Sequence, residues 1–182
     1  MMSSTSLRHF ASGAVSRCGG HHLARYLTAQ VPRVLMFHRF STQPAWRKTS
    51  LDQLRTVLDH VERRHKAVTL DRIVENVIQR RRVPEEVALT VDDAYEDFYR
   101  IALPEFEARR LPVALYVPTD FVDQRSWLWP DRLLYLIRTS VAERADLGRL
   151  GVLPLRTLGE RRLAWNVIGD RLVDMSSAVR DR

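Results

Sequence analysis

Apolar positions along this chain switch between two periods from residue 33 to residue 117. Val34-Leu35-Met36-Phe37 is an unbroken apolar run of strand length, which predicts a strand buried on both faces. Ser50 with Gln53 three positions on forms a capping box, and Leu51, Leu54, Leu58 and Val61 then line one side of a helix. Ala67 to Leu70 reads as a second short strand, and Leu70, Ile73, Val74, Val77 and Ile78 as a second amphipathic helix that stops before Pro84. Val87 to Val91 is a third strand. Tyr95 to Arg110 is a helix broken or restarted at Pro104, and Val113 to Val117 a fourth strand. This β-α-β-α-β-α-β order predicts an α/β fold with a parallel sheet, open or closed into a barrel.

After Pro118 the pattern changes. Leu133, Leu134, Leu136 and Ile137 stripe one predicted helix, and Leu163, Val167, Leu172 and Val173 another, with no fifth strand expected. Four strands followed by about fifty helical residues would be an unfinished α/β unit by this reading, because a parallel sheet needs both faces covered and a barrel needs closure. The organisation expected is a mobile basic extension over residues 1 to 30, the N-terminal half of an α/β domain over 31 to 122, and a helical insertion over 123 to 182.

Charge sharpens that division. The chain of 182 residues carries a net charge of +7. Residues 1 to 51 hold seven basic side chains and no Asp or Glu, and the remainder is balanced. A nucleic-acid role would rest on that N-terminal excess alone and is not favoured. Arg63-Arg64-His65-Lys66 and Arg80-Arg81-Arg82 fall at predicted helix C-termini, where cations complement the helix dipole. The first twenty residues are rich in Ser and small side chains without periodicity. No apolar run approaches the roughly 18 residues of a membrane span, and no secretory h-region opens the chain, so a cytoplasmic protein is expected. Cys18 is the sole cysteine, which excludes an internal disulfide and a multi-thiolate zinc site; with His21 and His22 it lies on a Gly-flanked stretch that would not orient ligands.

Between residues 21 and 147 there is no glycine. Phosphate loops, dinucleotide fingerprints and serine nucleophile elbows need glycine for close backbone approach, so nucleotide binding and serine-hydrolase chemistry are disfavoured. The informative segment is Val87 to Phe98, in which Asp92 and Asp93 follow a buried strand at the edge where parallel α/β folds place their sites. Two adjacent carboxylates taken out of water call for a compensating cation or proton. A divalent metal would answer this, with one Asp ligating and the other handling a proton. Equally, Asp93 would serve as a helix cap and Asp92 as a solvated side chain.

Four segments in order carry a resemblance. Val34 to Phe40, with His38 and Arg39, resembles the "vLmYHrv" opening strand of the polysaccharide deacetylase family, the NodB homology domain of carbohydrate esterases. Leu89 to Phe98 resembles its T-F-D-D-G-Y motif. Leu103 to Thr119 resembles its "alP.l...glpAtfFvpt" segment, and Trp127 to Leu133 an "fWwdrL" insertion that some members carry. The match spans about residues 31 to 137. It implies a partial (β/α) barrel, and hydrolysis of N-acetyl groups on a polysaccharide or oligosaccharide, as in chitooligosaccharide deacetylases. It further implies Asp92 as catalytic base, Asp93 as ligand of a divalent metal, zinc by family, and an N-acetylated glycan as substrate. His38, Arg39 and Tyr95 are candidate substrate-pocket residues.

The sequence also departs from that pattern. Val91 replaces an aromatic residue, and Ala94 replaces glycine, which disfavours a turn at positive φ there. The family's metal histidines come from a later H-[ST]-x-x-H motif, and no histidine follows His65. His60 and His65, read as one helix, would point about 140° apart. The expectation is the N-terminal part of a deacetylase, ending before its metal histidines and inactive as it stands. The competing reading is a non-catalytic glycan-binding pseudoenzyme, or a fragment that needs a second chain.

Overall fold

The computed structural model describes residues 31–81, 83, 85–148 and 151–176. The expected extension over residues 1 to 30, with Cys18, His21 and His22, lies outside them, as do Arg82 and Pro84. The chain forms two compact units that divide between Val117 and Pro118.

In the first unit the main sheet is parallel and is built around β5 (Glu86–Val91), whose six residues are all buried. β1 (Arg33–Phe37) pairs with β5 along its whole length, with Phe37 opposite Val91. The other side of β5 is shared by β4 (Lys66–Ala67) at its start and β6 (Ala114–Leu115) at its end. A second parallel pair joins β2 (Phe40–Ser41) to β3 (Thr49–Ser50). The described strands form an open sheet with the expected parallel sense.

One expectation for this sheet is corrected. β1 is not buried on both faces: Val34, Leu35 and Met36 are exposed. Its apolar run marks a strand, but among the described residues only β5 pairs with it, so it stands at the edge.

α1 (Leu51–Arg64) starts as its sequence predicts. Ser50 Oγ accepts the Gln53 N–H, and Gln53 Oε1 accepts the Ser50 N–H, so the capping box is complete. Leu54, Leu58 and Val61 are fully buried and pack with Phe40, Leu89, Val91, Phe98 and Phe106 in the core. α2 (Leu70–Ile78) is a helix, capped by Thr69, but its buried face is not the one expected. Ile73 and Asn76 are buried, while Val74, Val77 and Ile78 are exposed. Asn76 turns inward because Glu86 is buried beside it: Asn76 Nδ2 donates to Glu86 Oε2 at 2.6 Å, and Arg72 and Lys66 approach the same carboxylate.

The long helix expected from Tyr95 to Arg110 is shorter and irregular. A π-helical turn over Phe98–Ala102 leads into α3 (Leu103–Ala108), with Pro104 in its first turn. Proline has no N–H for the preceding turn, and Leu103 N–H instead reaches back five residues to Phe98 O. The restart at Pro104 is therefore as the sequence indicates.

In the second unit, α4 (Thr119–Val122) is a single turn, followed by α5 (Trp129–Thr139) and α6 (Leu158–Val173). The expectation of helices only, with no further strand, is overturned by an antiparallel pair, β7 (Arg144–Asp146) with β8 (Val152–Pro154). Gly148 and Gly151 take positive φ in its connection, and Asp146 Oδ1 accepts the Gly148 N–H. The buried face of α6 is Ala164, Trp165 and Gly169, not the leucine stripe, of which Leu163 and Val173 are exposed. Gly169 lies against the Trp165 ring, and a Cβ there would stand 3.7 Å from it, an ordinary van der Waals contact. No helix among the described residues is long and apolar enough to cross a membrane.

Candidate active site

The register of the main sheet assembles the candidate rim. Because Phe37 lies opposite Val91, the residues that follow each strand, His38 and Asp92, emerge side by side. The Asp92 N–H donates to Phe37 O at 2.9 Å and fixes that juxtaposition. On the other side of β5, the Tyr116 N–H donates to Val91 O at 2.8 Å.

Asp92 presents two different oxygens. Oδ1 is buried with no hydrogen-bond partner. Oδ2 lies 3.9 Å from His38 Nε2, within ion-pair range of a protonated imidazole but beyond a hydrogen bond. A carboxylate oxygen removed from water without a donor is costly, and such a group belongs more often to a working site than to a scaffold.

Asp93 and Ala94 make the turn that follows, both with positive φ, 70° and 47°. This corrects the expectation that Ala94 would disfavour such a turn. Asp tolerates the left-handed region comparatively well, whereas Ala bears the Cβ penalty that glycine avoids. The turn persists because β5 on one side and the π-helical turn on the other are both anchored in the core.

Arg39 and Tyr95 are brought together, but as a clamp. Arg39 Cζ sits 3.8 Å from the centre of the Tyr95 ring, a cation–π contact. Its Nε donates to Asp97 Oδ2 at 2.8 Å. Asp97 also accepts Lys48 Nζ at 3.1 Å and, on Oδ1, the Phe40 N–H at 3.1 Å. Asp97 and Lys48 are the residues that sequence reasoning missed. A signal was present: Arg39 and Lys48 lie in an acid-free stretch, and four carboxylates crowd residues 92 to 97. A cavity of about 570 Å³ lies beside this clamp, not at the acid pair, with Phe37, Lys48, Asp52 and Gln53 among its lining residues.

Among the described residues no three His, Cys, Asp or Glu side chains come together as a metal-binding group. Two adjacent carboxylates and water make a poor site for zinc, which prefers four tightly held nitrogen, sulfur or oxygen ligands. The residues at this rim therefore do not fit the zinc that the motif resemblance implies. His60 and His65 are not splayed as a single helix would hold them. His65 has left α1 for an extended conformation, and its ring centroid lies 5.8 Å from that of His60.

No protein-family model matches the chain, and no curated protein matches it. Solved structures do. A de-N-acetylase from Aggregatibacter actinomycetemcomitans is 15% identical, with 75% of this chain covering 51% of that one at a TM-score of 0.39. The deacetylase domain of BpsB from Bordetella bronchiseptica is 17% identical, with 78% of this chain covering 52% of that one at 0.38. This chain thus spans about half the length of both. IcaB from Ammonifex degensii is 19% identical, with 78% of this chain covering 67% of that one at 0.43.

Proposed function

We propose that this chain is the acid-pair part of a deacetylase-type hydrolase directed at the N-acetyl groups of a polysaccharide or oligosaccharide. The observation that carries the reading is Asp92: a carboxylate at the C-terminal end of a fully buried strand, with one oxygen buried and undonated and the other facing His38. In this reading Asp92 is the catalytic base, accepting a proton from the water that attacks the amide carbonyl. Asp93 stands at the position of the family's metal ligand, on the strained turn. His38 borders the base. Arg39 and Tyr95 would border the substrate from one side, with Arg39 held by Asp97 and stacked on the Tyr95 ring.

Among the described residues no group of three His, Cys, Asp or Glu side chains forms around Asp93. Glycan contact without turnover is therefore the expected behaviour of the chain by itself, and hydrolysis requires ligands from elsewhere.

Nitrogen-15 NMR on the full chain tests both parts. Oligomers of N-acetylglucosamine are expected to shift the amide resonances of Asp92, Asp93 and Ala94, and fully deacetylated oligomers are not. Absence of that difference overturns the glycan reading. Acetate release is expected to stay at background with zinc bound below stoichiometry. Stoichiometric zinc with turnover abolished in Asp92→Asn would overturn the incompleteness.

A further inference from the structure

β1 presents an apolar run at the edge of the main sheet. Val34 is 45% exposed, Leu35 37% and Met36 60%, three consecutive apolar residues on one strand. Single exposed apolar side chains are ordinary, but a contiguous run along a sheet edge is a template for pairing with another chain. Such edges are commonly guarded by charged residues or proline, and Val34 to Phe37 contains neither.

The direction of each backbone group on this edge follows from the pairing on its other side. The Asp92 N–H donates to Phe37 O, so the Phe37 carbonyl points toward β5. Within a strand the N–H and C=O of one residue share a side, and successive residues alternate. Arg33, Leu35 and Phe37 therefore bond toward β5, while Val34 and Met36 turn their N–H and C=O outward, where no described strand lies. The side chains divide in the same way. Leu35 and Phe37 stand with Leu89 and Val91 on the core face that α1 covers, and Val34 and Met36 with Ala88 and Thr90 on the other.

This pattern is self-complementary about Leu35. In an antiparallel pairing of β1 with the β1 of a second copy, Leu35 opposite Leu35 sets Val34 opposite Met36 on both sides. Those are the residues whose backbone groups point outward, so each Val34–Met36 pair exchanges both N–H···O bonds and the leucines take the closer position between them. Neighbouring two-fold registers fit less well. Centring on Val34 sets Pro32, which has no N–H, opposite Met36, and centring on Met36 sets Val34 opposite His38, beyond the end of β1. Charge matches as well. Arg33 of the second copy falls opposite Phe37 on the core face, where the cavity of about 570 Å³ is lined by Phe37, Val57 and the exposed Asp52. A guanidinium entering there has an aromatic ring and a carboxylate to meet.

We infer that the β1 edge is a self-association surface, on which a second copy of this chain pairs antiparallel about a two-fold axis at Leu35. The inference does not depend on the role of Asp92. Because the axis reverses strand direction, the His38 and Asp92 rims of the two copies open at opposite ends of the paired strands. The contact is a short strand and its flanks, so the dimer is reversible and of micromolar strength.

Sedimentation of the full chain over a concentration series tests this. A monomer–dimer equilibrium is expected, weakened at least tenfold in Val34→Lys and in Met36→Lys, with circular dichroism checking that these variants fold. Arg33→Glu should weaken it several-fold, and Asp52→Arg added to Arg33→Glu should restore it. Cross-linking reads the register. In a Cys18→Ser background, Leu35→Cys should oxidise to a linked dimer, because opposed residues at the closer position have Cα atoms about 4.5 Å apart. Val34→Cys should not, since its two copies lie diagonally, more than about 7 Å apart. A monomer at every concentration, or a dimer indifferent to Met36→Lys, overturns the surface. Cross-linking of Val34→Cys as efficient as that of Leu35→Cys overturns the two-fold pairing at Leu35. Strong protection of the Val34 and Met36 amides from hydrogen exchange in a dilute monomer overturns it too, and assigns the edge to another segment of the same chain.

Discussion

Asp97 accepts the Arg39 Nε–H at 2.8 Å across 58 residues of sequence, and so ties the loop after β1 to the segment that follows the acid pair. The same carboxylate takes Lys48 Nζ and the Phe40 N–H, with only 12% of its side chain exposed. Three donors on one largely buried carboxylate are strongly coupled: removing it leaves two cations and a backbone N–H short of a partner. Asp97→Ala is expected to cost about 2 to 4 kcal/mol in urea unfolding, within the range for breaking a buried charged pair. Asp97→Asn keeps an acceptor for Phe40 and should cost less. A loss under about 0.5 kcal/mol in Asp97→Ala would show the clamp to be incidental.

Ala94 holds φ at +47° immediately after Asp93 at +70°. An L-residue with a Cβ is strained there, and glycine is not. Ala94→Gly should therefore stabilise the chain by about 0.5 to 1 kcal/mol, the relief of strain exceeding the added freedom of glycine in the unfolded chain. Thermal unfolding measures it. A lower melting temperature in Ala94→Gly would mean that residue 94 does not occupy the left-handed region.

These two sites show where the sequence was legible and where it was not. α1 could be read in full, because the Ser50 and Gln53 capping box and the Leu54, Leu58, Val61 stripe are local signals that agree with each other. β5 and its acid pair were equally plain. What could not be read was which neighbour each strand would find: Val34 to Met36 has the composition of a central strand and stands at an edge. α2 and α6 defeated the periodicity argument for a similar reason. Glu86 draws Asn76 inward, and Trp165 with Gly169 outcompetes Leu163 for the interior. The acid-free stretch and the cluster of carboxylates pointed to pairing, but not to Asp97 as the hub, because its partners, Arg39 and Lys48, are about fifty residues upstream. Gly148 and Gly151 did punctuate the chain, and weighing them as turn signals would have disclosed the β7–β8 hairpin.

Arg161 on α6 closes the C-terminal end of α5. Its guanidinium donates to Ile137 O, Arg138 O and Ser140 O, carbonyls at a helix end where backbone acceptors lack partners. A cation there also complements the helix dipole. Lysine cannot reproduce a planar fork that reaches three carbonyls. Arg161→Lys is thus expected to lose about 1 kcal/mol and Arg161→Met about 2 kcal/mol or more. Hydrogen exchange should locate the effect, with amides near Ser140 losing protection while those of α1 do not. Uniform loss of protection in both units would contradict a local clamp.

Glu105 gives the first unit a dependence on acid. On α3, it accepts Arg55 Nη2 from α1 at 2.7 Å and Arg109 Nη1 at 2.6 Å. The hydrogen bond from Arg55 is the main cause holding its carboxyl below the usual value, against a desolvation that raises it. A carboxylate whose pKa is lower in the folded chain contributes stability above its unfolded pKa, close to 4.5, and loses it as pH falls through the folded value. Unfolding free energy should therefore decline from about pH 5 downward, with Glu105 responsible for part of the slope. Arg55 is half exposed, so solvent screens the pair, and Glu105→Gln should cost only about 1 kcal/mol at neutral pH. Between about pH 5 and pH 3 the variant should lose less stability than the unsubstituted chain, so that the two curves converge in acid. Parallel curves over that interval would show that Glu105 titrates alike in the folded and unfolded states and that the Arg55 contact does not hold α1 to α3.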